Sequence, residues 1–267
     1  MHPKIVRQFR CHAATDAHKE AAIRSTTMNS QLDLLHARIN AYDWPKVFDQ
    51  IDQEGWAVLP GLIQQDDCTT LAELYGPTDA FRSHVHMARH GFGRGEYRYF
   101  SYPLPQLVEA ARSALYSRLV PLANRWHERM GQAGIFPEKH NIFLERCHTA
   151  RQKNPTPLLL KYQEGDYNCL HQDLYGDHVF PLQIAILLSE PEADFTGGEF
   201  VLTHQRPRMQ SRAVVVPLQK GDGVVFAVNS RPQRGTRGDY RVTMRHGVST
   251  VRSGTRHTLG LIFHDAP

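Results

Sequence analysis

Near residue 140 the spacing of apolar positions changes from the three- and four-residue period of helices to the short runs and alternation of strands. On the helical side, "QLDLLHARINAY" sets Leu32, Leu35 and Ile39 on one stripe. "YDWPKVFDQIDQEGW" predicts a second helix, with Asp43 as its cap, Pro45 in the first turn and Gly55 at the end. "WAVLPGL" reads as a short strand, and "QQDDCTTLAELYG" as a third helix capped by an aspartate near Asp66. A longer helix is expected from about Pro105 to Met130, with Leu107, Ala111, Leu115, Leu119 and Leu122 on one face. Before it, "FRSHVHMARHGFGRGEYRYFSYPLP" has strand-like aromatic alternation around a flexible turn at Gly91, Gly93 and Gly95.

Beyond residue 140, "TPLLLKYQ", "FPLQIAILLSE", "GGEFVLT", "RAVVVPL", "DGVVFAV", "RVTMRHGVSTV" and "TLGLIFH" predict short strands separated by glycine, proline and asparagine. Helices first and many strands after predict a mainly β fold with helical support, an antiparallel barrel or sandwich of jelly-roll type. One domain is expected over 29–267, with helical support at about 29–140 and the β core at about 155–265. Residues 1–28 carry little periodicity and are expected to be a disordered extension.

Composition narrows the class without naming a function. A hydrophobic fraction of 41% and a charged fraction of 22% are ordinary for a globular protein, and a net charge of +4 gives no bulk argument for nucleic acid. The cysteines at 11, 68, 147 and 169 lack CxxC spacing, which argues against a zinc ribbon or a disulfide framework and fits reduced thiols. The N-terminal residues form no apolar signal segment and no run reaches membrane-spanning length, so a soluble cytoplasmic protein with no membrane partner is expected.

The candidate chemistry begins in "YNCLHQDLYGDHVF". On a strand, His171 and Asp173 project to one face, which makes half of a metal site. His-x-Asp arises readily by chance among 16 histidines, so the pair needs a third ligand. His246, in "TMRHGVSTV" on a late strand, supplies one. Two histidines and a carboxylate are the facial set of non-haem iron(II) oxygenases. Arg256 follows ten residues later, where a buried guanidinium could pair with a carboxylate.

With these residues the chain resembles the Fe(II)/2-oxoglutarate-dependent dioxygenase superfamily and its double-stranded β-helix core. "KYQEGDYNCLHQD", "FTGGEFVL", "KGDGVVFAV" and "HGVSTVRSGTR" are similar to motifs of its prolyl-hydroxylase-like branch, although that branch commonly has lysine where Arg256 stands. "MARHGFGRGEYRYF", "HQDLYGDHVFPLQ" and "QRPRMQSR" resemble a bacterial family of oxygenases predicted to demethylate damaged nucleic acid oxidatively. The resemblance implies Fe(II) on His171, Asp173 and His246. It implies 2-oxoglutarate and dioxygen as cosubstrates, with Arg256 on the distal carboxylate of 2-oxoglutarate and Tyr162 as a second contact. A half-buried strand tyrosine is the rival reading of Tyr162. Asp177 is a candidate brace for a ligand histidine, and His178, His204, His257 and His264 are read as bystanders.

For the substrate, three basic groups stand out: Arg206, Arg208 and Arg212; Arg231, Arg234, Arg237 and Arg241; and Arg82, Arg89, Arg94 and Arg98 interleaved with Phe92, Tyr97, Tyr99 and Phe100. Read as loops at barrel ends, they suit phosphate contact and base stacking on single-stranded or damaged nucleic acid, but a solvated face has the same composition. A protein side chain or small metabolite on the same iron centre is the alternative substrate. A metal-binding barrel without turnover is the remote one.

Overall fold

The computed structural model describes residues 29–76 and 79–267; the disordered extension expected at 1–28 lies outside the described residues. Residues 29–41 form helix α1, where the leucine and isoleucine spacing places one. From Tyr42 to Pro267 the chain is one compact unit.

Helix α2 (Trp44–Glu54) starts at Asp43, whose Oδ1 accepts a hydrogen bond from the Lys46 amide at 3.2 Å, and stops at Gly55 with φ of 85°. Strand β1 follows at Trp56–Leu59. Helix α3 (Gln65–Glu73) corrects the expected aspartate cap: Gln64 is the cap position and makes no side-chain cap bond. Asp66 and Asp67 sit in the first turn instead, where their charge complements the positive helix end. Helix α4 (Gln106–Arg129) buries Val108, Ala111, Leu115, Leu119 and Leu122, while Leu107 is only half-buried. Helix α5 (His140–Thr149) was not foreseen. It turns His140, Phe143 and Cys147 inward, and none of those three is aliphatic, so the apolar stripe is too thin to read.

The strands, numbered in chain order, form two antiparallel sheets. The larger contains β1, β2 (Phe81–His86), β4 (Glu96–Phe100), β5 (Leu158–Gln163), β7 (Leu182–Leu187), β11 (Gly223–Ala227) and β14 (Val251–Leu261), in the order β1-β11-β7-β14-β5-β4-β2. A short β8 (Phe195–Gly197) pairs with β14. The smaller sheet contains β3 (Gly93–Arg94), β6 (Tyr167–His171), β9 (Phe200–Gln205), β10 (Arg212–Val216) and β13 (Gly238–Val248), in the order β10-β9-β13-β6-β3. Strand β12 (Ser230–Gly235) pairs with β13. From β5 to β14 the chain passes back and forth between the sheets, which makes the jelly roll. All six residues of β7 are buried, so the core lies against the larger sheet. Among the described residues no helix is long and apolar enough to cross a membrane.

Two corrections bear on function. Arg231 and Arg234 lie on β12 and Arg241 on β13, so this basic group is a hairpin rather than a loop. Only Arg237 occupies its turn. The segment between β2 and β4 is also more than a glycine turn. It leaves the larger sheet, adds β3 to the edge of the smaller one beside β6, and returns. At Gly93 (φ 127°) a Cβ would lie 2.4 Å from the Tyr167 carbonyl oxygen, so both backbone angle and space require glycine. The result is a strap joining the two sheets.

Candidate active site

Strands β6 and β13 are neighbours, and their register places His171 directly opposite His246. That pairing brings the distant histidine to the His-x-Asp motif, with ring centroids 4.2 Å apart. Asp173 lies just past the end of β6 and turns back between them. His171 Nε2 is 3.6 Å from Asp173 Oδ1, and His246 Nε2 is 3.3 Å from Asp173 Oδ2. One ligand atom from each residue falls within 4.8 Å of the others.

Hydrogen bonds around the three residues aim their donor atoms. His171 Nδ1 donates to the Cys169 carbonyl at 2.7 Å, which leaves the Nε2 lone pair facing Asp173. Tyr175 donates to Asp173 Oδ1 at 2.9 Å, and Gln183 Nε2 to Oδ2 at 2.8 Å. Burial by itself would raise the Asp173 pKa, but the adjoining His246, then His171 and Gln183, outweigh it and hold the carboxylate well below its usual range. Burial holds His246 below the usual histidine range, which favours the neutral imidazole a metal needs. Two imidazole nitrogens and an ionised carboxylate converging on one point fit a divalent first-row metal with positions left open for other ligands.

Arg256 sits across the pocket on β14, opposite Tyr162 of β5. Its guanidinium lies 5.6 Å from the Tyr162 ring centroid and 5.8 Å from that of Phe195. Nη1 donates to Thr258 Oγ1 at 2.5 Å, while Nε is buried without a partner. Among the described residues no carboxylate is within ion-pair distance of it. Burial lowers its pKa to about 10, so it remains a cation at neutral pH. Gly198 makes room for it, since a Cβ there would lie 3.0 Å from Arg256 Cδ. A buried cation that lines a cavity and lacks an anion fits a ligand carboxylate.

The cavity encloses about 220 Å³ and brings together His171, Asp173, His246, Arg256, Tyr162, Tyr97 and Tyr99. Tyr162 is fully buried, and its hydroxyl accepts from Asn168 Nδ2 at 3.3 Å. Tyr97 and Tyr99 lie on β4 facing inward, not on an exposed stacking loop as the basic-aromatic wording suggested. The Tyr99 hydroxyl donates to that of Tyr175 at 3.1 Å, which in turn holds Asp173.

The basic groups fare differently. Arg94, Arg206 and Arg208 are exposed, and none lines the cavity. Arg82 donates to the Pro155 carbonyl and Arg98 to that of Gly76. Arg212 pairs with Glu54, and Arg231 is fully buried, donating to the last carbonyls of α2 at Asp52 and Gln53. These four brace the fold. Asp177 is exposed, and the side chains that brace Asp173 are Tyr175 and Gln183 instead. Gln183 had a signal, as a lone amide inside the apolar run "FPLQIAILL" needs a buried partner.

The family model described as an oxygenase catalysing oxidative methylation of damaged DNA matches residues 95–266. An uncharacterized protein of Mycobacterium tuberculosis, found in two strains, is 49% identical over 167 residues, covering 62% of this chain and 72% of that protein. Among solved structures, a Pseudomonas putida prolyl-4-hydroxylase is 15% identical with a TM-score of 0.48, covering 81% of this chain and 96% of that one. A Burkholderia pseudomallei oxidoreductase of the 2OG-Fe(II) oxygenase family is 15% identical with a TM-score of 0.48, covering 85% and 93%. Neither structural likeness is close enough to carry substrate or cofactor across. The family match runs from the end of the strap to beyond the last strand, covers more than half of the chain and takes in His171, Asp173, His246 and Arg256, so this chain belongs to that oxygenase family.

Proposed function

We propose that this oxygenase removes methyl groups oxidatively from alkylated bases in damaged DNA, a DNA-repair activity that uses Fe(II), 2-oxoglutarate and dioxygen. His171, Asp173 and His246 would hold the iron, and Arg256 the distal carboxylate of 2-oxoglutarate. The observation that carries the reading is the unpaired, buried Arg256 facing the same cavity as the converging ligands. Bound there, Fe(II) with 2-oxoglutarate and dioxygen supplies hydroxylation of a C–H bond, and an N-methyl carbon hydroxylated in this way leaves as formaldehyde.

The chain's own residues supply position and dryness. The Cys169 carbonyl fixes the His171 tautomer, and Tyr175 and Gln183 each hold one oxygen of Asp173. Phe92, Tyr97 and Tyr99 give the cavity flat aromatic walls, which suit a base taken out of its stack. Arg94, Arg206 and Arg208 remain free for backbone phosphates.

The test is conversion of 2-oxoglutarate to succinate, with formaldehyde release, in the presence of N-methylated and unmethylated single-stranded DNA. Methylated DNA is expected to stimulate both products together. If oligonucleotides have no effect while a peptide or small metabolite stimulates succinate formation, the substrate is a protein side chain or small molecule and the demethylase reading is lost.

A further inference from the structure

A second set of metal-ligating side chains lies outside the cavity. His84 and His86 are on β2, two residues apart and therefore on one face, and the register puts Glu96 of β4 directly opposite His86. Tyr97 and Tyr99 alternate with Glu96 along β4 and point into the cavity, so the His84–His86–Glu96 group occupies the outer face of the same strands. His84 Nε2 is 2.5 Å from Glu96 Oε2, and His86 Nδ1 is 3.8 Å from the same oxygen. The two imidazole rings are 4.4 Å apart, and one ligand atom from each of the three residues lies within 4.8 Å of the others.

Surface ion pairs of His84 and His86 with Glu96 add little to stability, so they do not by themselves account for two imidazoles converging on one carboxylate oxygen. Three donors carried by paired strands are fixed without ordering a loop. Their cost of assembly is already met by the sheet. We infer that His84, His86 and Glu96 form a second divalent-metal site, with donors suited to Zn(II) and an open position toward solvent. Lys161 Nζ, 3.8 Å from Glu96 Oε1, is the competing cation. It approaches the oxygen that the histidines do not face, and its flexible stem lets it swing away.

The site's place in the chain gives it a consequence. His84 and His86 end the strand entering the strap, and Glu96 begins the strand leaving it. A metal there ties both stems together, steadying the intervening segment that carries Phe92 to the cavity wall. The proposal stands apart from the iron reading, since it uses none of the same residues.

The test removes the pocket ligands first. In the full chain carrying Asp173→Ala and His246→Ala, equilibrium dialysis against Zn(II) should leave one tightly bound equivalent. Adding His84→Ala and His86→Ala should abolish it, and Glu96→Gln, which keeps the side-chain shape, should weaken it at least tenfold. Zn(II) should also slow amide hydrogen exchange over residues 87–95 in the pocket-disabled chain but not after the two surface histidines are replaced. Equal Zn(II) stoichiometry with and without His84 and His86 would overturn the site. Binding without slower exchange would overturn its hold on the strap.

Discussion

Arg112 and Arg256 are both buried, yet they stand in opposite surroundings. Arg112, fully buried on α4, has a partner at every guanidinium nitrogen: Nε donates to the Ile262 carbonyl at 2.8 Å, Nη1 to the Tyr102 hydroxyl at 3.1 Å, and Nη2 to Asp265 Oδ1 at 2.8 Å and Thr156 Oγ1 at 3.4 Å. Burial would depress its pKa, but Asp265 and Tyr102 outweigh that and raise it. Arg256 has one hydroxyl partner and a depressed pKa. Keeping a guanidinium dry is costly in both places. At Arg112 the protein supplies the compensation, which ties α4 to the C-terminal residues. At Arg256 it is withheld, and in the proposed function the carboxylate of 2-oxoglutarate takes the place of that anion. A buried arginine is therefore informative through its unmet hydrogen bonds rather than its burial.

That contrast can be broken most sharply on the cavity side. Asp173→Ala should abolish Fe(II)-dependent succinate formation while leaving a folded chain, and His178→Ala should keep most of the activity. Full turnover in the Asp173 variant, or turnover that survives thorough chelation, would falsify the ligand assignment. On the structural side, Arg112→Met takes the arginine cation from the fully buried Asp265, whose Oδ1 is left without its partner while Oδ2 keeps Tyr102 and His148, and should cost about 3–5 kcal/mol in denaturant unfolding. Arg256→Met strands no carboxylate, so its unfolding free energy should stay within about 1 kcal/mol of the parent or rise. Equal destabilisation by the two variants would erase the distinction.

Smaller effects refine it. Tyr99→Phe deletes the hydroxyl that steadies Tyr175 against Asp173. A loss of about 1 kcal/mol, read as roughly fivefold slower succinate formation, is expected for one hydrogen bond. His140, whose Nε2 donates to the Phe263 carbonyl at 2.7 Å, is held near a pKa of about 3 by burial first and then by Arg112. The unfolded chain takes up that proton near the ordinary value of about 6.5, so His140's contribution is present above that pH and is lost as pH falls toward 3. His140→Gln keeps a donor without the titration and should give a shallower acid limb in unfolding free energy against pH. Replacing both Arg206 and Arg208 with alanine should flatten the salt dependence of single-stranded DNA binding by about one unit per lost phosphate contact, leaving 2-oxoglutarate affinity alone. An unchanged slope would remove those two arginines from the DNA path.

The convergence of His171, Asp173 and His246 was legible because its parts have fixed spacing. His171 and Asp173 are two residues apart near a strand end, and His246 lies in an apolar strand that could pair with theirs. Arg256 was legible by its place on the last strand, but its lack of an anion is a property of the folded cavity. The hairpin of β12 and β13 was hidden because "NSRPQRGTRGDYR" has no apolar alternation. Arg231 enters the interior there only because the carbonyls at the end of α2 await a cation, and α2 is distant in sequence. Tyr97 and Tyr99 read as exposed because arginines flank them. Pairing of β4 with β5 turns the tyrosines in and the charges out.

The central claim is that Arg256 is unpaired because it awaits a carboxylate. Calorimetric titration of 2-oxoglutarate into the Mn(II)-loaded chain and its Arg256→Met variant tests this without requiring turnover. Loss of a charge-assisted pair in a dry site commonly costs about 2–5 kcal/mol, so the Kd should rise at least tenfold while Mn(II) affinity stays the same. An unchanged 2-oxoglutarate Kd in the variant would contradict the account and place the anchor elsewhere.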